Sequence, residues 1–187
     1  MASFFDNMID SALIPERLQA LKSSMITKRV SKGDILLRKG DRAEKTYFVK
    51  EGCLRSYTID EKGKEHIFMF APEGWMIGDI GAFAKGKHSE LFIDAIEDSE
   101  IEVLNREVVN PTNVPAHEAI EKLVNRNYVL QKRIIMFMSA TLQERYLDFI
   151  ETYPDIVQRV PQKMIASYLG VTPEALSKIR GDLAKVK

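Results

Sequence analysis

The sequence predicts an α+β fold: an antiparallel β sandwich or barrel, then one long helix, then a small helical unit. Three observations carry this. Between Gly33 and Leu104, short β-rich runs recur at about 8–12 residue spacing, punctuated by Gly33, Gly40, Gly52, Gly63, Gly74, Gly78 and Gly81. From Ile120 to Phe137 the apolar period lengthens to steps of three and four. From Pro161 onward the chain reads as two short helices joined by a tight turn at Gly170.

The elements follow in order. Residues 4–22 set Phe5, Met8, Ile9, Leu13, Leu18 and Leu21 at roughly helical spacing, interrupted at Pro15, and predict a helix. The strand runs are Ile35–Leu37, Thr46–Val49, Leu54–Ile59, His66–Phe70, Leu91–Ile96 and Ile101–Leu104. Glu61-Lys62-Gly63-Lys64 predicts a hairpin tip between the third and fourth of these. After Pro111 and Pro115, Ile120, Leu123, Asn127, Leu130, Ile134 and Phe137 form an a/d seam of about 2.5 heptads. Asn127 stands at an a position, where a buried polar residue fixes register and favours a two-stranded partner. The seam predicts a dimerisation helix; the other reading is a helix packed on its own barrel. A further helix, Leu142 to Thr152, ends before Pro154.

Composition narrows the function. The chain has 187 residues, 45% of them apolar and 29% charged, which suits one or two folded domains. No stretch reaches the roughly 18 apolar residues a spanning helix needs. Met1 to Asp6 lack a basic region leading into an apolar run, so the expected location is the cytoplasm. Cys53 is the only cysteine, which excludes an intrachain disulfide and a cluster with several thiolate ligands. Net charge is zero, but from Arg159 onward six basic residues face two acids, a local balance of +4 on a body of −4. A basic end on an acidic body points to a local polyanion contact.

The segment Ile165 to Arg180 supplies the polyanion reader. Gly170 sits where a positive φ is needed, Ala166 where two helices must approach closely, and Thr172-Pro173 form an N-cap and first helical residue. Leu176, Ile179 and Leu183 share the inward face; Glu174, Ser177, Lys178 and Gly181 share the opposite one. This is the pattern of a DNA-binding helix-turn-helix, whose second helix enters the major groove. Lys178 can donate to guanine O6 and N7, and Glu174 can accept from cytosine N4. Ser177 can reach a phosphate or base. Thr172, Arg180, Lys163 and Gln162 complete the DNA-binding set, the last three placed for backbone contacts.

With barrel, long helix and helix-turn-helix in this order, residues 20–185 resemble the Crp/Fnr family of bacterial transcription regulators. The markers are Lys32-Gly33-Asp34, Ile35-Leu36, Arg38-Lys39-Gly40-Asp41, Tyr47-Phe48-Val49, Glu51-Gly52 and Ile77-Gly78-Asp79-Ile80-Gly81-Ala82-Phe83. The resemblance implies three parts. Residues 1–113 would form a cyclic-nucleotide-binding-type double-stranded β-helix (jelly roll) with an N-terminal helix. Residues 114–141 would be the dimerisation helix and hinge, and 142–187 the helix-turn-helix domain.

It also implies an effector pocket at Gly78, Asp79, Ile80, Gly81, His88, Ser89 and Glu90. The family's cyclic AMP binders carry Gly-Glu and Arg-Ser in this cassette. The first aligns with Gly78-Asp79 and the second with Ser89-Glu90. Serine supplies no bidentate cationic clamp, and Glu90 repels an anion, so cyclic AMP is not the expected effector. Lys85, Lys87 and His88 are the nearest cationic replacements. The family's metal sensors find no match: His66, His88 and His117 stand in no ligand context, and no cofactor or metal is expected. Two further departures concern DNA. Only Gly181 to Lys187 follow the recognition face, so a full β-hairpin wing is not expected unless something earlier supplies it. Pro173 stands where the family often places a base-reading arginine.

The expectation is a homodimeric DNA-binding transcription regulator, reading a near-palindrome in double-stranded DNA, with an unidentified small-molecule effector or none, no membrane partner and no enzymatic activity. The competing reading is a small-molecule-binding or interaction module that no longer binds DNA. A metal-dependent jelly-roll enzyme would need clustered histidines, and these are isolated.

Overall fold

The computed structural model describes residues 25–106 and 116–185. The helix predicted over residues 4–22, and the boundary after residue 113, lie outside the described residues. Eight strands come first: β1 (Ile26–Val30), β2 (Ile35–Leu37), β3 (Lys45–Glu51), β4 (Leu54–Ile59), β5 (Glu65–Ala71), β6 (Met76–Ile77), β7 (Phe92–Ala95) and β8 (Ser99–Asn105). A short helix, α1 (Ile80–Lys85), stands between β6 and β7. Then come α2 (Ala116–Ser139), α3 (Leu142–Thr152), α4 (Ile156–Arg159), α5 (Gln162–Leu169) and α6 (Pro173–Lys185).

The strands form two four-stranded antiparallel sheets, ordered β1-β8-β3-β6 and β2-β7-β4-β5. They close over an apolar interior of Val30, Leu37, Tyr47, Val49, Leu54, Ala71, Ile77, Ile93, Ala95, Ile101 and Val103. This is the jelly roll the sequence predicts, and its period-2 alternation is what fills the interior from both sheets. The β4–β5 hairpin turns at Gly63, φ +78°, as the Glu61–Lys64 run requires.

Four elements were not legible in the sequence. β1 is exposed at all but its last residue, and Lys28 and Arg29 break its apolar pattern. Charge on a sheet edge discourages pairing with other chains. β6 and α4 are too short to show a period. α1 is only six residues long and made by its caps: Asp79 accepts the Ala82 amide at 3.0 Å, and Gly86, φ +62°, closes it.

The outer face of the second sheet does not face solvent. Cys53, Tyr57, Ile67 and Phe70 join Tyr146, Phe149, Tyr153, Ile156, Val160, Ile165, Ala166, Leu169 and Leu176 in one buried cluster. The C-terminal helices therefore share a core with the roll. Beside that core a crossed-strand ion pair holds the same sheet face: the Arg55 guanidinium donates to both Asp94 oxygens at 2.7 and 2.9 Å. It also reaches Glu65, and it stacks 4.3 Å above the Tyr57 ring.

On the long helix most of the described residues of the predicted seam are open to solvent. Ile120, Asn127 and Ile134 are exposed. Leu130 is half-buried, and Phe137 turns to its own chain, with Arg133 and Arg145 lying 5.5 and 5.7 Å from its ring centroid. The side chain of Leu123 lies outside the described residues. At about 100° per residue, the exposed apolar stripe runs through Ile120, Val124, Tyr128, Ile134, Ile135 and Met138, with Asn127 inside it. Ile120, Asn127 and Ile134 belong to both the predicted seam and this stripe, while Val129 stands exposed on the opposite side of the helix.

Candidate nucleic-acid interface and effector cassette

The two helices α5 and α6 form the helix-turn-helix. α5 ends at Gly170, whose φ of +70° lets its amide reach the Ala166 and Ser167 carbonyls. A Cβ there would also stand 3.2 Å from Cε1 of Phe137, a tight approach that adds to the preference for glycine set by the backbone. Ala166 is completely buried at the helix crossing. Thr172 accepts the Ala175 amide at 3.3 Å, and Pro173 opens α6. Leu176 is fully buried, with Ile179 and Leu183 packed on the same cluster.

The opposite face of α6 presents Glu174, Ser177, Lys178 and Gly181 to solvent. Bonds from its own amide and from the Thr172 hydroxyl hold the Glu174 carboxyl below the usual glutamate range, so it stands ready as an acceptor. Gln162 and Lys163 are exposed in the first turn of α5, Thr172 is exposed at the turn, and Arg180 is half-buried. The structure thus brings Glu174, Ser177 and Lys178 together on one open helix face.

Three attachments fix this unit on the roll. The Ser167 hydroxyl donates to the Glu65 carbonyl at 2.7 Å and accepts the Ile67 amide at 3.0 Å, so α5 covers the otherwise open edge of β5. Arg159 holds Glu73 with two bonds of 2.8 Å and also bonds Glu97. The Arg133 guanidinium lies 4.2 Å from the Tyr168 ring centroid and 5.3 Å from that of Phe68, and donates to the Phe68 carbonyl. Arg145 donates to the Leu169 carbonyl at 2.8 Å, tying α3 to the end of α5.

Arg159 corrects the charge reading. It counts toward the basic end in sequence, yet it faces two roll carboxylates. The hydrogen bonds it donates to Glu73 are the foremost cause that holds its pKa above the usual arginine value. Sequence reasoning also missed Ser167, Arg133 and Arg145, because their partners are distant in the chain. The only available signal was an arginine or serine at a half-apolar helix position.

The cassette residues are gathered around α1. Gly78 is forced by close approach, since a Cβ would lie 2.7 Å from Cγ2 of Thr46. Asp79, Gly81, Ala82, Lys85, Lys87, His88, Glu90 and Leu91 line a cavity of about 420 Å³. Ile80 starts α1. Ser89 is buried, and Glu90 points outward to Lys39 at 3.3 Å. A ring nitrogen of His88 pairs with the Gly40 carbonyl at 2.8 Å.

Burial pushes the Cys53 thiol up to about 12, which makes it a poor nucleophile or ligand. Among the described residues, no group of three His, Cys, Asp or Glu side chains is arranged to hold a metal ion. Among them, too, no helix is long and apolar enough to cross a membrane.

Comparison with known proteins agrees with this architecture. The cyclic nucleotide-binding domain family matches residues 27–111. Electron transport regulator A of Shewanella oneidensis is 26% identical over 173 residues, covering 84% of this chain and 68% of that one. The fumarate and nitrate reduction regulatory protein of Escherichia coli is 26% identical over 176 residues, with the same shares of 84% and 68%. The structure of FixK2 from Bradyrhizobium japonicum superposes with a TM-score of 0.72 at 19% identity, covering 86% of this chain and 85% of that one, and shares the fold. Roll, long helix and helix-turn-helix are matched in order along most of the chain, which is thus similar throughout to transcription regulators of the Crp/Fnr type.

Proposed function

We propose that this chain is a DNA-binding transcription regulator that acts in the cytoplasm as a homodimer on a near-palindromic operator. The observation that carries the reading is the recognition helix: its apolar side is sunk at Leu176 while Glu174, Ser177 and Lys178 stand open. In a major groove, Lys178 donates to guanine and Glu174 accepts from cytosine. Ser177 meets a base or phosphate, and Thr172, Gln162, Lys163 and Arg180 hold the sugar–phosphate backbone. With Pro173 opening the helix, no arginine reads bases from that position.

The dimer is proposed along α2, through its exposed stripe around Asn127. A twofold there sets two recognition helices against half-sites about 34 Å apart, one DNA turn. We propose domain limits of 1–113, 114–141 and 142–187. The link between α2 and α3 is short: Ala140 and Thr141, the latter closed by a reciprocal capping box with Glu144. An effector would act by favouring one arrangement around this link and the Phe137–Gly170 contact. Ser89 and Glu90 offer no cationic clamp for a cyclic nucleotide phosphate, so any effector is of another kind.

Selection of bound DNA from a random pool tests the reading, with an inverted repeat as the expected product. Recovery of no enriched sequence, together with binding that is insensitive to salt, would favour the interaction module instead, because counterion release makes DNA binding steeply salt-dependent.

A further inference from the structure

We propose that the Asp79 carboxylate is the cassette's own anion, closing it in place of an effector. The inference rests on reading residues 78–90 as the effector cassette. Asp79 Oδ1 accepts the Ala82 amide at 3.0 Å. Its Oδ2 accepts the Glu90 amide at 3.1 Å and lies 3.1 Å from the Ser89 hydroxyl, which it shares with the Leu91 carbonyl at 3.0 Å. The next amide, Leu91, is taken by Ser89 Oγ at 3.0 Å. The Ala82, Glu90 and Leu91 amides, which a bound anion would otherwise claim, are therefore taken by side chains of the chain itself.

The arrangement is also braced from behind. Gly40 donates to the Ser89 carbonyl and Ser89 donates to the Asp41 carbonyl, both at 2.8 Å, so residues 88–91 cannot swing away from Asp79 without breaking a second layer of bonds. Ser89 is 1% exposed, so its contact with Asp79 is sheltered from water. A carboxylate accepting several N–H and O–H donors is the same electrostatic object as a small bound oxyanion. An incoming anion would meet Asp79 and, at the mouth, Glu90. Lys85, Lys87 and His88 line the rim of the cavity, and none of them is bonded to Asp79.

The test is amide exchange in the full-length protein over residues 78–91, with inorganic phosphate and formate as probes. In the natural chain this segment should exchange slowly, and neither probe nor cyclic AMP should change it. Asp79→Ala should speed exchange there roughly ten- to a hundredfold, the loss expected for hydrogen bonds to a charged acceptor, and millimolar formate or phosphate should restore protection. Asp79→Asn keeps the volume and the helix cap but turns a donor toward the Glu90 amide. It should lose protection locally with an unchanged melting temperature, which separates the effect from global unfolding. Unchanged exchange in both variants, restoration by neither probe, or tight binding of cyclic AMP to the natural chain would overturn the proposal. The readout is independent of DNA, so a protein that passes this test but selects no operator would sink the regulator reading alone.

Discussion

The two exposed helix faces of this molecule are opposite in chemistry. On α2, Ile120, Val124, Tyr128, Ile134, Ile135 and Met138 are each more than half exposed. On α6, the exposed face includes Glu174, Ser177, Lys178 and Gly181. An apolar stripe of that length gains by leaving water and fits another apolar surface. A polar face with an acid, a hydroxyl and an ammonium gains nothing from leaving water unless its partner returns each hydrogen bond. Base edges and phosphates do return them. The two faces meet at one place, where Phe137 of α2 lies against the Gly170 turn and between the Arg133 and Arg145 guanidiniums. The apolar face is thus connected to the polar one by a packed contact rather than by a loose linker.

The largest effect should come from breaking the apolar face. Ile134→Glu places a charge in the stripe and should convert a dimer to monomers in sedimentation, with operator affinity falling roughly a hundredfold or more as the second half-site contact is lost. Unchanged mass and affinity would show that the stripe is not the twofold interface. Next is the polar face itself: Lys178→Ala should cost about 1–3 kcal/mol and relax preference at one base position, read by competition between operator variants. At the meeting point, Gly170→Ala should lower stability by about 1–2 kcal/mol, seen as a lower melting temperature, because the alanine takes up a left-handed backbone and crowds Phe137.

The smallest effect belongs to the Arg159 attachment. Arg159→Ala should cost about 1 kcal/mol or less, since its partners are partly solvated. Its signature is pH dependence. Burial pushes the Glu73 carboxyl up, but the bonds from Arg159 outweigh it and leave the pKa lowered. Stability from that pair is present above the ordinary glutamate value of about 4.3 and is lost as pH falls through the lowered one. Acid titration of melting should show the loss in the natural chain and a flatter curve in Arg159→Ala.

Much of the candidate site was legible because it is local. Gly170, Thr172-Pro173 and the split of Leu176, Ile179 and Leu183 from Glu174, Ser177 and Lys178 are set by a helical repeat and by turn stereochemistry, which act within a few residues. The same holds for the hairpin at Gly63 and the alternation of Tyr47 and Val49 toward the roll interior. Asp79 shows the limit. In sequence it stands where an effector-contacting acid belongs, yet in the fold it caps α1 and bonds Ser89 and Glu90. A carboxylate's donors come from whichever segment is brought beside it.

The sequence by itself determined the succession of a glycine-turned roll, a long amphipathic helix and a helix-turn-helix, together with the polarity of the recognition face, since periodicity and capping are short-range. The tertiary structure alone decided which way the long helix faces, how the reading unit is attached, and where the charges go. Phe137 was set beside the Gly170 turn, and Ser167 was set on the β5 edge. Arg159 was spent on Glu73 and Glu97 across separations of 86 and 62 residues. Such pairings depend on burial and on the approach of distant segments, and nothing in the spacing of neighbouring residues encodes them.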